Sequence, residues 1–197
     1  MMARAQAGAQ TQGGVVAGYR LVVPGGWFAV DLDPGRRQRA VVALVERQFA
    51  GVDNAPHLKA QARQELLAKA GAAHEAGGLE MFLSLQQVAG IPLAASLVIF
   101  LVPPPGARAV TPEDLAGSLA GEGRQVAVAD LPAGTGVRML RRTGPAGETA
   151  TVTLEVFAPV PRGGGWLLLA FSAPLGPLAP AMTKLFDAIC MTLRWDQ

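Results

Sequence analysis

Two nearly unbroken apolar runs constrain this chain most: Leu93 to Val102 and Trp166 to Phe171. Neither approaches the roughly 20 apolar residues that a membrane-spanning helix needs. The first has Pro92 before it and Pro103-Pro104-Pro105 after it, so it cannot continue as a helix at either end. A short, β-branched-rich apolar stretch with turn residues on both sides fits a central strand covered on both faces. The chain therefore needs other elements above and below a sheet.

The remaining pattern supplies them. Tyr19–Val23 and Trp27–Leu32 alternate around Pro24-Gly25-Gly26, and this predicts a tight hairpin. Asp33 before Pro34 is an N-cap signal for a helix to about Ala50, stopped by Gly51. A second, Ala-rich helix is expected from His57 to about Ala76, with Leu58, Ala62, Leu66 and Ala70 on its dry stripe. Leu79–Val88 alternates and reads as a strand with one dry face, paired antiparallel to Leu93–Val102. Thr111-Pro112-Glu113-Asp114 is a capping box that opens a short third helix.

Three strands are expected next, over Gln125–Asp130, Gly136–Arg142 and Glu148–Ala158, before the second apolar run. From Pro177 to about Leu193, Leu178, Met182, Leu185, Phe186, Ile189, Cys190 and Leu193 recur at helical spacing. This order, rich in hairpins and poor in crossovers, gives an α+β class: a three-layer α/β/α sandwich with a mostly antiparallel sheet. Residues 1–18, rich in Ala, Gly and Gln, read as a flexible tail, and residues 19–197 as a single domain.

Composition excludes more than it selects. One Cys among 197 residues permits neither an internal disulfide nor a multi-Cys metal site. With 17 basic against 15 acidic residues, the chain lacks the basic excess of a nucleic-acid binder. There is no secretory-signal pattern and no early Cys for a lipid anchor, which points to the cytoplasm and to no membrane insertion. The basic residues are nearly all Arg, and Ala, Gly and Pro are abundant, a pattern of GC-rich bacterial coding.

Catalytic motifs are missing: there is no phosphate-binding Gly loop ending in Lys, no G-x-G-x-x-G and no nucleophile elbow, Ser118 lying out of register. His57 and His74 fall on one predicted helix but point about 100° apart, so they do not share a ligand. Cys190 lies on the dry stripe of the last helix, an inert position. Asp31 and Asp33 read as a strand residue and a helix cap. No cofactor, metal site or enzymatic activity is expected.

One surface feature stands out. Arg36, Arg37 and Arg39 crowd the start of the first helix, with Arg47 further along. Cations there oppose the helix dipole, which makes the group a candidate site for an anion or an acidic partner. A smaller set, Arg138 and Arg142 on one strand face and Arg141 on the other, reads as cross-strand pairing with Thr151, Thr153 and Glu155.

The opening Tyr19-Arg-Leu-Val-Val-Pro-Gly-Gly-Trp27 and the closing Trp166-Leu-Leu-Leu-Ala-Phe-Ser-Ala-Pro174, running into Leu185-Phe-Asp-Ala-Ile189 and Leu193-Arg-Trp195, resemble the PsbP-like α/β/α sandwich superfamily. The resemblance covers both ends and the general topology. It implies a non-enzymatic fold whose members include a photosystem II accessory subunit, a Ran-binding nuclear transport factor and bacterial lipoproteins, joined by protein binding or assembly.

The chain departs from those members in its Pro34–Gly77 stretch, and none of their functional residues has a counterpart here. It is also similar to GC-rich bacterial proteins associated with type VII secretion loci. The function expected is a non-catalytic protein-binding adaptor or assembly factor. The alternative is a small-molecule or anion-binding module built on the Arg cluster. Homo-oligomerisation stays open through an uncovered edge strand such as Gln125–Asp130.

Overall fold

A computed structural model describes residues 3–7, 10–11, 14–15, 18–49, 56–88, 91–106, 109–144, 151–173 and 178–196. In chain order the strands and helices are β1 (Ala3–Ala7), β2 (Gln10–Thr11), β3 (Gly14–Val15), β4 (Tyr19–Val23), β5 (Trp27–Val30), α1 (Pro34–Gln48), α2 (Pro56–Glu75), β6 (Gly78–Val88) and β7 (Ile91–Val102). They continue as α3 (Pro112–Leu119), β8 (Arg124–Leu131), β9 (Gly134–Thr143), β10 (Thr151–Pro159), β11 (Trp166–Ala173), α4 (Ala179–Cys190) and β12 (Arg194–Trp195).

Seven strands form one antiparallel sheet in the order β5-β6-β7-β11-β10-β9-β8. The two apolar runs, β7 and β11, lie side by side near its middle, where a strand has neighbours on both edges. On one face, α4 and the small sheet β1-β4-β12 enclose the largest apolar cluster, which includes Tyr19, Leu97, Leu154, Leu169, Phe171 and Phe186. Phe186 stacks on Phe171 with centroids 4.7 Å apart and meets Trp27 edge-on at 6.4 Å. On the other face, α1 and α2 bury Val30, Val41, Val45, Met81 and Leu83 over the β5–β6 end. At the far end, α3 covers Val137, Phe157 and Trp166. The chain is thus α+β and forms a three-layer α/β/α sandwich.

Local signals explain most boundaries. Asp33 Oδ1 accepts from Gly35 N at 2.9 Å, and Pro34 occupies the first turn of α1. Thr111 and Asp114 form the reciprocal capping box of α3. Buried Met182, Phe186, Ile189 and Cys190 give α4 its dry stripe.

Several expectations need correction. Tyr19–Val23 and Trp27–Leu32 do not form a hairpin. The turn is there, with Trp27 N donating to Pro24 O at 3.2 Å and Gly26 at φ 93, but it passes the chain between two sheets. β4 pairs with β1 and β12, whereas β5 pairs with β6. Strand β6 is dry on both faces over 81–84, because Ser84, only 3% exposed, turns inward with Phe82. Leu58, placed on the dry stripe of α2, is 46% exposed. Within residues 1–18, read as a tail, Ala3–Ala7 runs along Tyr19–Val23 as a strand.

Candidate functional site

The Arg cluster is the first place to look, and its geometry is dispersed. Arg36 Nε lies 3.0 Å from Asp31 Oδ2 and 3.9 Å from Asp33 Oδ1. Two carboxylates thus stand where an anion would sit. The first free N–H groups of α1 are also taken: Gly35 N by the Asp33 side chain, Arg36 N and Arg37 N by Asp33 O at 3.0 and 2.8 Å. Arg37 reaches toward α2, where a β-carbon on Gly71 would stand 3.5 Å from its Nη1. Arg39 is exposed and forms no ion pair among the described residues. Arg47 stacks over the Phe28 ring, 4.7 Å from its centroid. Arg36 and Arg47 are thus held by different partners, and the four side chains do not converge.

A different surface emerges from the register of the large sheet. On the face opposite α4, α1 and α2 sit over β5 and β6, and α3 sits over β8 and β9. Between them β7, β11 and β10 present an open strip. Its rows can be read from the pairing. Ser96 stands opposite Ser172, Ser172 opposite Thr153, Thr153 opposite Arg141, and Arg141 opposite Arg124. The next row carries Val98, Ala170 and Glu155, and the next Phe100 and Leu168. Every one of these except Arg124 is half-buried, and Arg124 is exposed.

Two residues in these rows are unusual. Phe100 is partly exposed on a central strand and joins none of the three apolar clusters. Arg141 Nε is fully buried and has no hydrogen-bond partner among the described residues. The side chain of Arg124, directly across from it, bonds Leu119 O at 3.2 Å and forms no ion pair among the described residues. Two like charges opposed across strands are unfavourable without a counter-charge. Arg138, on the reverse face, is by contrast fully matched: its Nε and Nη2 fork onto both oxygens of Asp187, at 2.8 and 3.1 Å.

The other titratable groups are structural. The Tyr19 hydroxyl donates to Glu80 Oε1, joining the small sheet to the large one. Burial raises the Glu80 pKa, and the Tyr19 hydrogen bond partly offsets this. Cys190 is 2% exposed, and burial, then Asp187, push its thiol up to about 12, so it is no thiolate at neutral pH. His57 and His74 are exposed on α2. Among the described residues no three metal-ligating side chains cluster, and no helix is long and apolar enough to cross a membrane.

Two clefts are also present. One, of about 290 Å³, lies between Pro104, Pro112, Pro159 and Trp166. The other, of about 330 Å³, is lined by Asp31, Glu80 and apolar neighbours.

Nothing in the residue pattern marked the strip. Its polar members sit singly in three different strands, and only the register aligns them.

No family model matches the chain, and no curated protein matches it. Among solved structures it is similar to LpqN of Mycobacterium tuberculosis, described as involved in cell envelope biogenesis. That match has 10% identity and a TM-score of 0.51, covering 100% of this chain and 92% of LpqN. It is also similar to the cyanobacterial PsbP, CyanoP, of Synechocystis sp. PCC 6803, at 15% identity and a TM-score of 0.49, covering 99% of this chain and 92% of that one. At 10% identity the likeness to LpqN is one of fold alone.

Proposed function

We propose that this chain is a non-catalytic accessory protein that binds another protein through the open strip between α2 and α3. The observation that carries the reading is Arg141, whose buried Nε has no hydrogen-bond partner among the described residues, on the same sheet face as the partly exposed ring of Phe100. A folded protein leaves few buried donors unpaired, so such a group points to a partner that supplies the acceptor. A sheet face that carries both an apolar ring and an unmatched cation also has the mixture that protein interfaces favour. The fold shared with LpqN, a protein described as involved in cell envelope biogenesis, is compatible with this role.

The test is site-specific photo-crosslinking in native lysate, with a benzophenone side chain replacing Phe100 and, as control, Lys184 on the exposed side of α4. A crosslinked protein is expected at Phe100, absent at Lys184, and lost when Arg141→Glu is added. Arg141→Glu places a carboxylate opposite Arg124 and so relieves repulsion within the fold. The same crosslinks from both positions, or none from Phe100, would reject the reading.

A further inference from the structure

We infer that strand β8 is a self-pairing edge, through which two copies of this chain join antiparallel into one continuous sheet. β8 ends the seven-stranded sheet and, among the described residues, has β9 as its one strand neighbour. It runs for 8 residues, longer than an ordinary strand of about 5–6, with no bulge in its pairing. It carries neither Pro nor Lys, two devices that usually blunt an edge. Among the described residues its outer side makes one backbone bond, Arg124 N to Gly121 O at 3.2 Å. Val128, in its middle, is 40% exposed.

The side-chain order along β8 is self-complementary. Arg124, Val126, Val128 and Asp130 share one face, because they stand opposite Arg141, Met139, Val137 and Thr135 without a register shift. Two such strands pairing antiparallel about a two-fold axis at Ala127 place Arg124 opposite Asp130 of the second copy. The same register sets Val126 opposite Val128, and both contacts occur twice. This is the requirement of an isologous interface, one patch that matches itself. It also gives Arg124 a counter-charge that no described residue of its own copy supplies.

The helices permit the approach. Each α3 packs over its own β8 and β9. The buried residues it covers, Val137, Phe157 and Trp166, lie on β9, β10 and β11, so α3 sits inward of the β8 edge. The pairing uses the sheet edge, so it stands independently of the open strip.

The test is sedimentation equilibrium on the full chain, with Arg124→Asp, Asp130→Arg and their equimolar mixture. The wild type is expected to dimerise with rising concentration. Each single variant sets like charges opposite one another twice, which weakens the dimer by at least about tenfold. The mixture restores it, because one copy then presents two Asp and the other two Arg. Circular dichroism verifies that both variants fold.

A second measurement reads the register. Ala127→Cys forms an interchain disulfide on mild oxidation, because directly opposed residues lie about 4.5–5.5 Å apart at Cα. Gln125→Cys, which faces Ala129, forms none. A wild type that stays monomeric, single variants that dimerise like wild type, a mixture that does not recover, or equal disulfide yield at positions 125 and 127 overturns the inference.

Discussion

Tyr19→Phe removes one oxygen from the centre of the molecule, and its cost depends on pH. Tyr19 is fully buried, and its hydroxyl is the hydrogen-bond donor to the half-buried Glu80 carboxylate. A hydrogen bond to a charged group contributes about 1.5–3 kcal/mol. Glu80 is open to water on one side, so the lower end applies, about 1.5 kcal/mol. For a chain of this length that is roughly 3–6 °C in Tm.

The sign with pH follows from linkage. Burial holds the Glu80 pKa above its ordinary value, so the folded state binds this proton more tightly than the unfolded one. Glu80 therefore favours folding in acid, and its contribution falls as pH rises through the raised folded-state pKa. The Tyr19 bond acts in the opposite direction by stabilising the ionised form. Its loss is felt most at neutral pH and least in acid, where Glu80 is protonated. Calorimetry of wild type, Tyr19→Phe and Glu80→Gln at pH 7 and near pH 4 measures this. Glu80→Gln removes the pH-dependent step. An equal loss for Tyr19→Phe at both pH values would refute the reasoning.

Two further outcomes follow from the core. Phe186→Ala deletes a fully buried ring that touches Phe171 and Trp27, and urea titration should show a loss of about 3–5 kcal/mol. Cys190, its thiol pushed up to about 12 mainly by burial, should resist a thiol reagent at pH 8 in the folded chain and react once denaturant is added.

The elements of this fold are written locally and their partners are not. Helix caps at Asp33 and Thr111, the alternation of β10 and the spacing of α4 are each decided within a few residues, and the structure has them where periodicity places them. The turn at Pro24–Gly26 is local too, but strand partners are chosen over long range. β4 is held by chain from the opposite end, where Val22 N donates to Thr192 Oγ1 at 2.9 Å and Arg20 pairs with Arg194. A hairpin signal carries no information about such a competitor.

Charge behaves in the same way. Arg36, Arg37, Arg39 and Arg47 form a dense run in sequence. In space Asp31 and Asp33 meet Arg36, the Phe28 ring meets Arg47, and the run disperses. The contrast between Arg138 and Arg141 depends on Asp187 of α4 forking onto the first, while among the described residues no acceptor meets Nε of the second. Continuous apolarity in β7 and β11 predicts cover on both faces, yet between α2 and α3 the cover stops and leaves Phe100 partly open. A gap between two helices is a property of their packing, and no residue in either strand records it.

The most direct measurement is the affinity of the protein captured at Phe100 for three forms of the chain: wild type, Arg141→Glu, and the pair Arg36→Glu with Arg39→Glu. Binding through the open strip predicts that Arg141→Glu weakens the complex by at least about tenfold, by removing the charge-assisted bond of the Arg141 guanidinium, while the α1 pair leaves it unchanged. Loss of affinity in the α1 pair with Arg141→Glu binding like wild type contradicts the account and returns the site to the start of α1.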